Sequence, residues 1–414
     1  MTGYEACVRC GLCLPACPTY LETMTETSGP RGRISLIKAV DEGALDLLSP
    51  GFVEQMSQCL DCRACQAVCP SGVPYGSMLE EMRARIETAR APSRPAAART
   101  MRTILLRWLF AKPSRLRSAA SLLRFAQRSG LTALASLAGL RDAARLAPEI
   151  GDRFFIADDQ QYAVSRAAGT AMLHVGCVMQ VAFPTVHEAT VRMLNRAGLS
   201  VTVPRAQGCC GALAVHAGEP EFARALARVN IAAFERSGAD VYVVNAAGCG
   251  SALKEYGALL DDDPAWRERA QAFAARVRDI TEVLDAMELP APNGRIDARV
   301  TYQEPCHLVH AQRISGAPRR LLGKIAGLEL IEMNESAVCC GSAGIYNLTE
   351  PAMAQRLQAR KVGNIEVTGA TIVATANPGC AAQVAAGLRA AGVQASVKHV
   401  VELLDQAYST SLQA

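Results

Sequence analysis

The sequence predicts a chain of mixed fold class. A small α-helical, cysteine-rich domain over residues 1–87 leads through a basic helical linker, 88–168, into two repeated α/β domains with parallel sheets, 169–290 and 297–410. Three observations carry this reading. The run Cys7-x2-Cys10-x2-Cys13-x3-Cys17-Pro18 is written again as Cys59-x2-Cys62-x2-Cys65-x3-Cys69-Pro70. Residues 88–141 hold eleven basic residues and no acidic one. Beyond residue 168, Cys177, Cys209-Cys210-Gly211 and Cys249 recur as Cys306, Cys339-Cys340-Gly341 and Cys380, displaced by 129 to 131 residues, and a fixed displacement marks a duplicated unit.

The amino-terminal runs have the spacing of cubane ligands. Three cysteines three apart on a tight loop supply three thiolates of a [4Fe–4S] cluster, and in two-cluster ferredoxins the fourth comes from the other run. Cys7, Cys10, Cys13 and Cys69 are therefore assigned to one cluster, and Cys59, Cys62, Cys65 and Cys17 to a second. Pro18 and Pro70 resist helical continuation of the turn before them. Structural zinc sites usually show two separated pairs of cysteines and match less well. Disulfides are disfavoured: no charged and then apolar leader precedes Cys7, and thiols in a reducing cytosol stay free for metals. A cytoplasmic location is expected, without a spanning helix, since no run of about eighteen uncharged apolar residues occurs. Aromatic residues make up 5%, too few to stack bases along a strand, so nucleic acid is not an expected partner.

Between the runs, Ser28–Arg33 reads as a turn leading into an apolar-periodic helix over Ile34–Val40 that Gly43 ends, and Phe52–Met56 as a second short helix delivering Cys59. Arg31 and Arg33 are either solvated turn residues or cations set beside negatively charged clusters. In the linker, Thr103–Phe110 and Ser121–Phe125 add apolar residues to Arg90, Arg94, Arg99, Arg102, Arg107, Lys112, Arg115, Arg117, Arg124, Arg128 and Arg141. That pattern suits a helix packed on its own protein with arginines facing water, or one docked on an anionic surface, either lipid headgroups or an acidic partner. Pro92, Pro95, Pro113 and Pro148 punctuate the stretch.

Each repeat opens with a strand-like run (Ala171–Val175; Ala298–Tyr302) ending shortly before its first cysteine. A helix and a short strand follow (Leu199–Val203; Leu328–Ile331), then Cys-Cys-Gly, a long helix (Pro220–Ser237; Pro351–Glu366), a buried strand (Asp240–Val244; Thr371–Thr375) and the last cysteine. Alternating strands and helices imply right-handed βαβ units in Rossmann-like parallel sheets, and every cysteine falls just past the carboxyl end of a strand, where such sheets collect ligands. Cys177, Cys209, Cys210 and Cys249 form one candidate metal set, and Cys306, Cys339, Cys340 and Cys380 a second, for a further cluster or zinc; the alternative is that these are reduced structural cysteines. The glycine after each pair permits a tight turn and offers amide N–H groups to sulfur. His174, His307 and His310, near the first cysteines, read as hydrogen-bonded neighbours rather than ligands. No G-x-G-x-x-G, Walker A, G-x-S-x-G or H-E-x-x-H occurs, so no independent catalytic site is expected.

With these motifs in view, the chain resembles the iron–sulfur subunit of glycolate oxidase along its whole length. Local matches are Cys17-Pro-Thr-Tyr20, Gly29-Pro-Arg-Gly-Arg33, Gly248-Cys-Gly-Ser-Ala-Leu-Lys-Glu-Tyr-Gly257 and Cys339-Cys-Gly-Ser-Ala-Gly-Ile-Tyr346. The resemblance implies a complex in which FAD-containing partner subunits oxidise glycolate to glyoxylate and this subunit carries the electrons towards quinone, peripheral on the inner face of the cytoplasmic membrane. The iron–sulfur subunits of anaerobic glycerol-3-phosphate dehydrogenase and of D-lactate oxidation share the domain order, as do parts of heterodisulfide reductase. In that last family a further cysteine follows the final one in a C-x2-C; here those places hold Ala252 and Gln383, which argues against thiol/disulfide catalysis.

Overall fold

A computed structural model describes residues 3–131, 146–287 and 289–409; Arg141 of the basic stretch lies outside them. The amino-terminal unit is a bundle of helices, Pro30–Asp41, Pro50–Gln58 and Tyr75–Arg90, wrapped by the cysteine loops. Ile34, Ile37 and Val40, at helical spacing, bury against Phe52, Val53 and Met56 and against Met78, Leu79, Met82 and Ile86. The first helix starts earlier than the sequence suggests. Pro30 takes the first helical position, where its missing N–H has no bond to lose, so Arg31, Gly32 and Arg33 are helical and not a turn. A Cβ on Gly32 would lie 2.1 Å from the Glu26 carbonyl oxygen, which leaves glycine as the residue that permits this approach.

Two sheets follow. The first comprises β1 (Gln160–Tyr162), β2 (Gly169–Leu173), β3 (Leu199–Val203), β4 (Val241–Val244) and β5 (Val277–Asp279), in the order β1-β3-β2-β4-β5. The second comprises β6 (Arg295–Tyr302), β7 (Ala326–Ile331), β8 (Ile372–Thr375) and β9 (Ser396–His399), in the order β7-β6-β8-β9. All pairings are parallel except β1 with β3, so the duplicated unit is one four-stranded parallel sheet with the same crossover order. β1 departs from the expected all-helical linker: three mostly exposed residues leave no apolar alternation to read, and the strand is held by backbone pairing along an edge. β5 and β9, three and four residues long, escape periodicity for the same reason.

The domains interlock. The helix Val400–Ser409, at the end of the second unit, buries Val401, Leu404 and Ala407 in the core of the first, and Arg192 pairs with Asp405 at 2.7 Å. In the linker, Leu106, Ala111, Leu116 and Ala120 are buried while Trp108, Leu122 and Phe125 are exposed. Much of its positive charge is used internally: Arg94 pairs with Glu87, Arg102 and Arg107 both with Glu219, and Arg128 with Asp152. No described helix is long and apolar enough to cross a membrane.

Candidate metal centres

The two amino-terminal runs repeat in backbone as well as in sequence. The residue before the second cysteine of each run is left-handed (Arg9, φ 57°; Asp61, φ 53°), and so is the residue after it (Gly11, φ 87°; Arg63, φ 62°). Holding a side-chain-bearing residue there costs on the order of 1 kcal/mol or more, and the gain is a loop coiled so that three sulfurs share a concave side. Cys7, Cys10, Cys13 and Cys69, together with Cys65, line one small cavity of about 30 Å³. Cys17, Cys59, Cys62 and Cys65 line another of about 20 Å³. The crossed fourth cysteine of each assigned set thus lies at the cavity of its three partners. Cys10 is exposed, whereas Cys17, Cys59, Cys62 and Cys65 are buried, which makes the first site superficial and the second internal.

The second site suits a negatively charged group. Arg33 is 1% exposed; its Nε donates to Gln55 O at 2.8 Å and Nη1 to Thr19 Oγ1 at 3.0 Å, while Nη2 is buried with no hydrogen-bond partner. Burial opposes its charge, yet Cys59, Tyr75 and Cys17 hold it protonated, above the ordinary arginine range. Tyr75 Oη donates to Cys59 Sγ at 3.5 Å. Of the two readings of Arg33, the structure favours a cation set beside the second site. Arg31 instead forms an exposed pair with Glu26 at 2.5 Å and reaches Arg9 O.

In the Cys-Cys-Gly domains the adjacency of β3, β2 and β4, and of β7, β6 and β8, brings three loops to one sheet edge and converges their cysteines. Cys177 and Cys209 lie 3.9 Å apart, sulfur to sulfur, as do Cys306 and Cys339. Gly211 and Gly341 have φ of 86° and 89°, and Gly211 N–H donates to Cys209 Sγ at 3.5 Å. The Cys210 thiol draws Cys249 down to about 6, against burial and with help from the His174 imidazole; hydrogen bonding from Cys339 and Cys380 lowers Cys340. Asn377 Nδ2 donates to Cys380 Sγ at 3.4 Å. His307 and His310 are hydrogen-bonded through Nε2 to Asp61 O and Ala337 O, as neighbours would be.

Some of the surroundings were not visible in the sequence. Lys361, 2% exposed, lies among Cys339, Cys340 and Cys380, with Nζ bonded to Glu335 O and Ser336 O; a lone lysine on an apolar helix face is its one signal. Asp61, inside the second run, pairs with Arg63 at 2.9 Å and lies 3.2 Å from His216 Nδ1, and Arg63 reaches Glu80 at 2.5 Å. Burial pushes Asp61 up, but Arg63, His216 and Arg83 overcome it and hold the carboxyl well below the usual range. This ion cluster joins the amino-terminal unit to the first Cys-Cys-Gly domain. Cys62 packs with Cys306, Cys339 and Tyr346 in one buried cluster, which joins it to the second. Between the two later thiol sets lies a cavity of about 310 Å³, walled by Cys177, Cys249, Cys306 and Cys380 and by apolar residues such as Met179 and Leu348.

Two loops spaced and coiled for iron–sulfur clusters, beside paired cysteine-rich domains, define an iron–sulfur redox protein. The comparisons with known proteins make this specific. A 4Fe-4S dicluster domain matches residues 3–73, a cysteine-rich domain matches 171–254 and again 300–385, and the linker region of the glycolate oxidase iron-sulfur subunit matches 97–149. The probable glycolate oxidase iron-sulfur subunit of Bacillus subtilis (strain 168) is 38% identical over 97% of this chain and 93% of its own. The glycolate oxidase iron-sulfur subunit of Escherichia coli (strain K12) is 34% identical over 97% and 94%. Lactate utilization protein A of an Exiguobacterium species is 32% identical over 56% of this chain and 96% of its own. The chain belongs to the family of glycolate oxidase iron–sulfur subunits.

Proposed function

We propose that this chain is the electron-transfer subunit of a glycolate-oxidising complex, taking electrons from FAD-containing partner subunits and delivering them to quinone at the inner face of the cytoplasmic membrane. Cys7, Cys10, Cys13 and Cys69 would hold one [4Fe–4S] cluster, Cys59, Cys62, Cys65 and Cys17 a second, and the Cys-Cys-Gly sets further metal. Such clusters accept and release single electrons over a wide range of potential. The observation that carries the reading is continuity: the superficial set shares Cys65 at its cavity with the internal set, and Cys62 of the internal set packs on Cys306 and Cys339.

The chain's own residues do the rest. Arg33 places buried positive charge beside one of the thiol sets, favouring an added electron, and the Tyr75 hydroxyl acts on Cys59 in the same direction; Lys361, whose ammonium burial disfavours, lies beside another set. The apolar cavity of about 310 Å³ between the later thiol sets suits a flat, lipid-soluble acceptor. Exposed Trp108, Leu122 and Phe125 beside the arginines of the linker suit contact with anionic lipid, although much of that positive charge is already paired.

The test uses the purified complex with a Cys13→Ser variant. Flavin reduction by glycolate is expected to continue while one cluster signal is lost and quinone reduction stops; loss of flavin reduction as well would overturn the order of carriers. Assaying glycolate beside D-lactate and glycerol 3-phosphate distinguishes the substrate from those of the related subunits.

A further inference from the structure

The duplication allows the two Cys-Cys-Gly domains to be compared position by position within one chain. His174 N–H donates to Val243 O at 2.8 Å, and Gln303 N–H donates to Ala374 O at 2.9 Å. The two residues therefore hold the same place, one step beyond the central strand and three residues before the first cysteine of the domain. Their side chains differ. Gln303 is fully used: its Oε1 accepts from Thr375 Oγ1 at 2.7 Å and its Nε2 donates to Glu304 O at 2.7 Å. His174, 2% exposed, has Nδ1 2.7 Å from Tyr242 Oη, while Nε2 is buried with no hydrogen-bond partner. A ring nitrogen of His174 and the sulfurs of Cys210 and Cys249 all lie within 4.8 Å of one another.

Apart from the Cys249 thiol, on which the imidazole acts, Nε2 meets no polar partner, and since a buried polar nitrogen left unpaired costs about 1–3 kcal/mol, the arrangement suits an occupant. Metal-binding histidines have this form: one ring nitrogen is anchored by a neighbour, which fixes the tautomer, and the other is presented to the metal. In the tautomer in which Nδ1–H donates to the Tyr242 oxygen, Nε2 carries the ring's free lone pair and can serve a metal. The other close group of this kind among the described residues, Asp61, Glu80 and His216, has the Arg63 guanidinium beside it and is an ion-pair cluster.

We propose that His174 Nε2 is a metal ligand in the first Cys-Cys-Gly domain, which makes that centre a mixed thiolate and imidazole site while its duplicate is built from thiolates. The inference rests on the reading that these cysteines hold metal, and the ligand set suits zinc or the iron of an iron–sulfur centre. Where the metal is iron and the imidazole takes the place of one of the four thiolates, the reduction potential rises, and the two copies of one domain become unlike stations for an electron.

The test uses the full chain, purified anaerobically with ¹⁵N-labelled histidine. The expected results are a histidine nitrogen in the first shell, by X-ray absorption at the zinc and iron edges and, for a paramagnetic centre, by nitrogen hyperfine coupling, and its loss in His174→Gln, which installs the residue of the second domain. The edge that shows the nitrogen tells zinc from iron. Metal bound by sulfur alone in the unaltered protein, or a nitrogen signal that survives His174→Gln, would overturn the ligand assignment. Metal content unchanged in Cys210→Ser would instead sink the underlying reading. A Cys210→Ser chain that loses metal, beside an unaltered protein without nitrogen ligation, would sink His174 alone.

Discussion

Replacing Arg33 by methionine tests whether a buried cation tunes the internal cluster site. Nη1 lies 3.0 Å from Thr19 Oγ1, and that oxygen lies 3.3 Å from Cys17 Sγ, so Nη1 is at most about 6 Å from the sulfur. A unit charge at roughly 6 Å, at an effective dielectric constant of about 20, interacts with an added electron by about 2–3 kcal/mol. For a one-electron couple that is on the order of 100 mV, and because the electron spreads over a cluster whose centre is farther away, a fall of roughly 50–100 mV is the expected effect in Arg33→Met. Arg33→Lys, which keeps the charge and loses the planar fork, should retain most of the potential. The assay is a potentiometric titration followed by electron paramagnetic resonance, with iron content checked in each variant. A cluster that stays within about 20 mV of the unaltered protein in Arg33→Met, with full iron, would refute the electrostatic role, since the Coulomb term could not be so small at this separation.

Three further outcomes follow from the geometry. Asp61→Asn removes one of the carboxylates that Arg63 (8% exposed) pairs with, at 2.9 Å, and leaves Glu80 at 2.5 Å, so the loss should fall below the roughly 3–5 kcal/mol that a fully orphaned buried charge costs; a lower denaturation midpoint is expected, and an unchanged one would show the pair to be dispensable. Asp279 is buried and its carboxyl is raised to about 6 by desolvation. An acid raised on folding contributes stability at low pH that is lost as pH climbs through the folded value, so relative to Asp279→Asn the unaltered protein should lose on the order of 3 kcal/mol between about pH 4 and pH 6, and a gap that does not vary with pH would refute this. Gly341→Ala should destabilise by about 2 kcal/mol or more, because φ is 89° and the new Cβ would meet Ala354 O at 2.6 Å, whereas Gly363→Ala, on an exposed helical position with open space, should gain about 0.5–1 kcal/mol; thermal denaturation of both decides.

Much of this molecule can be read from local pattern. β3 coincides with the five residues picked out for it, Leu199–Val203, and the helix Pro220–Ser237 with its predicted span, because buried strands and amphipathic helices carry their periodicity in the chain itself. Cysteine spacing grouped the thiols that line common cavities, since three ligands three residues apart are a local constraint. Long-range placement had no such trace. Pairing of β1 with β3, docking of Val400–Ser409 on the other domain's core and the approach of Cys62 to Cys306 depend on which faces meet, and residues hundreds apart leave no period to detect. Nor does composition separate a solvated arginine from a buried one. Arg33 and Lys361 are ordinary letters until helix packing puts them among thiols, and His174 and Gln303 differ in kind only once two equivalent loops can be laid over each other. Sequence alone determined the ligand types, their local spacing and the duplication; tertiary structure decided which sulfurs are neighbours and which charges face them, because contact between distant segments is set by packing and not by period.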